Sequence, residues 1–295
     1  MIALLEVQDF LKKAGRGEID SSRFDDLIEQ FGEDCKNSLR KQLSSRGGYR
    51  IRMSGLGRPL CQQKMEQQGH SQDIAYNDIM RFLMGDLVEA IAVFVMKAAG
   101  VNVVDTQREC NLKLGDTNVK GTLDIILNDG QDKVWDVKST SPWSFDNKFS
   151  NRGGYEVIKE DDPFGYIMQG FLYSESQDMP FGGWIAINKS SGEWDFVEAP
   201  DDQEEDREAY IADARSRVES LLKDNKFKIP FEAVDESYTV KGEKIYTGNK
   251  LMPKTCTFCS FKENCWKKAE YHDKVTSKAK FPPKAWYTKI VNRSI

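Results

Sequence analysis

Histidine is nearly absent: His70 and His272 are the only two in 295 residues, too few for a histidine-rich metal site. No stretch approaches the length and apolarity of a membrane span. Met1 to Gly15 reads as a short amphipathic helix without the basic start and uninterrupted apolar run of a signal peptide, so a soluble, cytoplasmic protein is expected. Six cysteines are too few for a disulfide-dense scaffold, and clustered cysteines in a reducing compartment point to metal or redox chemistry. A Gly-x-x-x-x-Gly-Lys-Ser/Thr loop is missing, which argues against a built-in ATP-driven motor.

The net charge of −5 excludes a wholly basic, histone-like binder, but the charge is uneven. From Lys241 onward there are 13 Lys and Arg against 4 Asp and Glu, a net of +9, which leaves −14 for the remainder. Within that acidic remainder, Lys36 to Met65 holds Lys36, Arg40, Lys41, Arg46, Arg50, Arg52, Arg58 and Lys64 and no acidic residue. Either segment alone reads as solvated surface. Both flank cysteines, which invites a common explanation.

Helices are expected over 23–45 and 76–99, with an irregular Gly- and Arg-rich segment between them. In the second helix Ile79, Phe82, Leu83, Leu87, Ile91, Phe94 and Val95 recur at helical spacing, and Gly100 supplies the stop. Strands follow at 101–114, 118–127 and 133–138, the last two joined by a turn at Asn128-Asp129-Gly130. A helix over 163–176, strands near 183–188 and 193–198, and a polar helix starting in the acid-rich run at 201–208 complete the order.

On a strand, alternate side chains share a face, so Asp136 and Lys138 point one way while Trp135 and Val137 point the other. The preceding strand carries a single carboxylate, Asp124, among apolar neighbours, and hairpin pairing brings it towards Asp136. Two carboxylates and a backbone carbonyl, that of Val137, suit a hard cation such as Mg²⁺ or Mn²⁺. A neighbouring lysine can orient or deprotonate a water for attack on a phosphodiester. By spacing alone, Asp-x-Lys on a strand is common and usually forms an ordinary surface ion pair.

Gly121-x-x-Asp124 followed by Asp136-x-Lys138 resembles the signature of the PD-(D/E)XK nuclease superfamily, with Asp where Glu is frequent. Gln169-x-x-x-Tyr173 is similar to the QxxxY motif of its RecB-like branch. The resemblance implies that Gln169 helps arrange the active site and that Tyr173 faces the nucleic acid. Gly85 to Glu89 resembles the Gly-x-x-x-His motif of that branch, with Glu89 in place of histidine, which leaves a carboxylate as the implied third ligand. Asp86, on the same helix, is the alternative. Lys189 resembles a basic residue that contacts phosphate in some relatives, and Arg58 is a further candidate for nucleic-acid contact.

Cys256-x-x-Cys259-x5-Cys265 sets three thiols within ten residues, interleaved with Phe258, Phe261 and Trp266. RecB-like exonucleases with an iron–sulfur cluster, the CRISPR-associated and AddB-type ones among them, have one upstream cysteine and three downstream. That resemblance implies Cys61 as the fourth ligand, with Cys35 as its competitor. Cys110 and the unused one of that pair are expected as buried free thiols. Four thiolates hold either [4Fe–4S] or Zn²⁺, and the resemblance favours [4Fe–4S]. Such a cluster staples the chain from 61 to 265 and gathers the two basic segments at one pole.

The resulting expectation is an α/β protein with a restriction-endonuclease-like PD-(D/E)XK core, a mixed central sheet flanked by helices, and N- and C-terminal segments joined by a metal cluster. Residues 1–75 form a helical, basic segment, 76–235 the nuclease core, and 236–295 a basic segment with three cluster cysteines. The implied activity is Mg²⁺- or Mn²⁺-dependent DNA hydrolysis, exonucleolytic, on single strands or free ends. A structure-selective endonuclease and a non-catalytic nucleic-acid-binding or assembly factor are the alternatives.

Overall fold

A computed structural model describes residues 2–44, 47–70, 76–223 and 230–293. The helices are α1 (Ile2–Gly15), α2 (Asp25–Leu43), α3 (Met53–Leu56), α4 (Leu60–Gln67), α5 (Tyr76–Ala99), α6 (Pro142–Ser144), α7 (Tyr155–Glu160), α8 (Tyr166–Gln177), α9 (Glu204–Leu222), α10 (Lys254–Thr257) and α11 (Lys262–Cys265). The strands are β1 (Val103–Leu114), β2 (Thr117–Asn128), β3 (Asp132–Thr140), β4 (Phe181–Asn188), β5 (Trp194–Glu198), β6 (Val234–Val240), β7 (Glu243–Leu251), β8 (Glu270–Asp273) and β9 (Lys284–Lys289). No described helix is long and apolar enough to cross a membrane.

Two compact units share these elements: one comprises Met1–Arg58 and Asp73–Lys223, the other Pro59–Gln72 and Asp224–Ile295. The first unit is a five-stranded sheet in the order β1-β2-β3-β4-β5, with helices packed on both faces. Every neighbouring pair is antiparallel except β3 and β4. All eight residues of β4 are buried, as a strand covered by helices on both sides requires. On one face Trp135, Val137, Ile185 and Ile187 pack with Val88, Ala92, Val95 and Met96 of α5 and with Val7 of α1. On the other, Trp184 and Ala186 pack with Ile167 and Phe171 of α8 and with Phe145, Phe149 and Tyr155.

The α5 helix matches its expected bounds, but its buried stripe is Val88, Ala92, Val95 and Met96, while Phe82 and Ile91 are exposed. It stops where Gly100 takes φ +88° and Val101 N–H returns to the Met96 carbonyl at 3.0 Å, a glycine-terminated cap. The α8 helix begins at Tyr166, three residues later than expected. Asp162 accepts from Gly165 N–H at 2.8 Å and Ile167 N–H at 2.9 Å, with Gly165 left-handed at φ +78°, so residues 163–165 form the turn that caps the helix. Cys61, expected in an irregular segment, lies in α4, which starts after Pro59.

The second unit holds a four-stranded antiparallel sheet in the order β6-β7-β9-β8, with no counterpart in the sequence expectation. Lys241 and Gly242 both take positive φ at the tip of the β6–β7 hairpin, which suits a two-residue turn. Its centre is polar. Glu236 is 1% exposed and accepts from Thr247 Oγ1 at 2.9 Å, Asn249 Nδ2 at 2.8 Å and Tyr287 Oη at 2.6 Å. Three donors satisfy a carboxylate that would otherwise be costly to bury.

Candidate active site

The β2–β3 pairing aligns Ile125 with Trp135 and Ile126 with Val134, so Asp124 and Asp136 stand at the next register position, where the strands begin to part. The Asp124 carboxylate fills that gap by accepting the Val137 N–H at 2.8 Å. Because β3 alternates, Trp135 and Val137 enter the core against α5, while Asp136 and Lys138 take the face towards α8. There Gln169 Nε2 donates to Asp136 Oδ1 at 3.0 Å. The Lys138 ammonium forms an ion pair with Asp136 Oδ2 and lies 4.6 Å from the centre of the Tyr166 ring. Asp136 is 1% exposed, and its Oδ2 has that ion pair but no hydrogen bond of ordinary geometry.

Glu89 completes the group from α5. Burial, and then the Asp136 carboxylate, push its proton affinity up to about 7. Asp124 is raised well above the usual carboxylate range by burial, then by Glu89 and Asp136. For Lys138 burial works downward, but Asp136, Tyr166 and Asp124 more than offset it and hold the ammonium above its ordinary value. Glu89 and Asp124 are thus both made costlier to ionise by burial and by neighbouring carboxylates, with the Lys138 ammonium paired to Asp136. Asp86, the alternative on the same helix, is engaged by Lys41 at 3.1 Å and Gln42 at 2.8 Å from α2.

Two further residues belong to this group. Gln107, in β1, takes φ +51° and donates through Nε2 to Glu89 Oε1. It interrupts the β1–β2 ladder between Thr106–Ile125 and Arg108–Leu123, at the position facing Asp124. Nothing in the sequence of a twelve-residue strand signals that left-handed residue. Tyr166 had a signal: with Gln169 and Tyr173 it occupies positions i, i+3 and i+7 of α8, one helical face.

Tyr173 is 3% exposed rather than presented to solvent. A Cβ on Gly121 would come within 2.6 Å of its ring and 3.0 Å of Met53 Sδ, so Gly121 is where β2 admits the ring. Lys189 is exposed at the end of β4, its N–H bonded to the Thr140 carbonyl at 3.1 Å. Arg58 is half-buried, and its carbonyl accepts from Arg217 at 3.0 Å. The first basic segment is no single patch. Lys36 pairs with Glu33 and Lys41 with Asp86, Lys64 is 4% exposed in the second unit, and Arg46 lies outside the described residues.

In the second unit, Cys61 from α4 and Cys256, Cys259 and Cys265 line one small cavity with Pro59, Phe231, Thr255, Lys262 and Trp266. Residues almost two hundred positions apart are thereby brought together. Burial, and then Cys259 and Cys256, raise the Cys61 thiol to about 11. Burial also raises Cys256, with the Trp266 indole pulling the other way. Cys35 lies in the other unit, half-buried on α2, and Cys110 is buried at 3%. Among the described residues no group of three or more His, Cys, Asp or Glu side chains is placed to hold a metal ion.

No family model matches this chain, and no curated protein matches it. Among solved structures it is similar to one titled "Crystal structure of SSO0001", at 17% identity and a TM-score of 0.39, over 68% of this chain and 89% of that one.

Proposed function

We propose that this protein is a metal-dependent DNA nuclease of the PD-(D/E)XK kind, in its RecB-like branch, acting on single strands or free ends. The observation that carries the reading is the placement of Asp124 and the buried Asp136 where β2 and β3 part, with Lys138 paired to Asp136 and with Glu89 and Asp124 both raised by burial and by neighbouring carboxylates. Such a charge set is costly unless a cation joins it, and an all-oxygen donor set suits Mg²⁺ or Mn²⁺. The Asp136 Oδ2, without a regular hydrogen bond, fits the same demand.

Glu89, Asp124, Asp136 and the Val137 carbonyl would hold the ion. When bound, it supplies positive charge to offset that developing on the phosphate. The chain's own residues do the rest. Gln169 fixes the Asp136 carboxylate in one rotation. Lys138 keeps its proton against Asp136 in the ion-free state and is placed to orient the attacking water or take part in its deprotonation. Tyr166, beneath the ammonium, narrows where it can go.

Cys61, Cys256, Cys259 and Cys265 would hold a [4Fe–4S] cluster, with Zn²⁺ as the other occupant four thiolates accept. Four sulfur donors around one cavity fit either. The group would act as a staple between two stretches of the second unit that flank the catalytic core in sequence.

The test is cleavage of end-labelled linear and circular single-stranded DNA with Mg²⁺ or Mn²⁺, on protein purified without oxygen. Loss of linear substrate with circles intact is the expected outcome. Cutting of circles would assign an endonuclease. DNA binding with neither substrate cut would replace the enzyme with a binding factor.

A further inference from the structure

The outer face of the C-terminal sheet carries an aromatic row that the catalytic reading leaves unused. The β8–β9 register pairs Tyr271 with Trp286 and Asp273 with Lys284, and paired residues share a face. The opposite face is spoken for: Tyr287, from the alternate position, is 1% exposed and bonded to Glu236. On the outer face the Tyr271 and Trp286 rings lie 5.0 Å apart at 33°. Lys284 Nζ stands 5.8 Å from the centre of the Tyr271 ring, and Lys262 Nζ 5.4 Å from that of Trp286. The result is a row of ammonium, ring, ring and ammonium in which Tyr271 is 56% exposed.

With Tyr271 more than half in water next to Trp286, the pair presents an open aromatic face. Local charge is the second feature. The second unit has 16 Lys and Arg against 9 Asp and Glu, a net of +7, while the chain as a whole is at −5. A single-stranded nucleic acid answers both features, since its bases stack on aromatic faces and its phosphates pair with ammonium groups. Asp273, the acid paired into this face, stands opposite Lys284 in the ladder, and two lysines flank the rings. An acidic protein segment would use the charges but leave the exposed ring face without a purpose.

We infer that Tyr271 and Trp286, with Lys284 and Lys262, form a base-stacking site for single-stranded nucleic acid. The site takes its substrate class from the nuclease reading but consists of residues outside the catalytic group.

The test is the affinity of the full-length protein for a fluorescent oligodeoxythymidylate without Mg²⁺ or Mn²⁺. Tyr271→Ala should weaken binding by about 5- to 150-fold, the range that removal of a stacking side chain produces, and Tyr271→Phe should bind as the wild type does. An abasic oligonucleotide of equal length should be bound equally by the wild type and Tyr271→Ala. Unchanged affinity in Tyr271→Ala overturns the site, as does displacement of the oligonucleotide by polyglutamate of equal charge as readily as by unlabelled DNA. Cleavage in parallel tubes with Mg²⁺ separates the two readings. A Tyr271 effect without cleavage sinks the nuclease and leaves the stacking site, and cleavage without a Tyr271 effect does the reverse.

Discussion

Gln169 Nε2 donates to Asp136 Oδ1 at 3.0 Å, tying α8 to β3 across 33 residues of sequence. With one carboxylate oxygen held by an amide, the other is committed to Lys138 and to whatever cation joins the group. A partner that only orients a ligand is expected to act through it. Gln169→Ala should therefore lower metal-dependent cleavage by about 10- to 100-fold, with a rise in the Mg²⁺ concentration needed for half-maximal rate. A titration of rate against Mg²⁺ checks this, and a fall in rate with no change in Mg²⁺ dependence would remove Gln169 from that role.

Gly121 and Tyr173 make a second testable contact. Because a Cβ at 121 would lie 2.6 Å from the Tyr173 ring, Gly121→Ala should destabilise the protein by about 1–3 kcal/mol through overpacking. Adding Tyr173→Leu should recover part of that loss, since neighbours do not add independently. Thermal melts of the two single variants and the double variant measure the coupling, and strict additivity would mean the ring does not meet the strand there.

The Glu89 carboxyl gives a pH dependence with a defined sign. Its folded-state value is raised from 4.5 to about 7 by burial and then by Asp136, so the folded protein holds a proton that the unfolded chain releases first. Stability of the metal-free protein from this group is full below about 4.5 and is lost as pH rises through about 7. Glu89→Gln should flatten that slope and raise the melting temperature of metal-free protein above neutral pH, while reducing the stabilisation that Mg²⁺ confers. Melts across pH with and without Mg²⁺ decide it.

The four-cysteine cavity yields a prediction that does not depend on activity. Cys61→Ser should lose most of the bound iron or zinc and lower the thermal stability of the protein, whereas Cys35→Ser, outside the cavity, should keep both. Elemental analysis of the purified proteins distinguishes iron from zinc in the same measurement. Equal metal content in the two variants would break the assignment of Cys61.

Much of the core could be read from the residues because its signals are local. The spacing of apolar residues up to Gly100 marks α5, and Asn128-Asp129-Gly130 marks the turn that sets the β2–β3 register. What escaped was set by tertiary context. Gln107 reaches Glu89 only because its backbone turns left-handed within β1. Tyr173 is turned inward by the missing side chain of Gly121, so a motif position read as facing nucleic acid packs against a strand. The C-terminal sheet left little trace because β6 and β7 bury few residues and show no apolar alternation, their centre being the polar network of Glu236.

The central claim is that Asp136 and Lys138 work as one device on a phosphodiester. Its most direct test is single-turnover cleavage of end-labelled single-stranded DNA in Mg²⁺ by the wild type, Asp136→Asn and Lys138→Met, with folding verified by melts. The account predicts that Lys138→Met loses about 10²- to 10⁴-fold in rate and that Asp136→Asn loses at least as much, with DNA binding retained in both. Wild-type rates in either folded variant would contradict it.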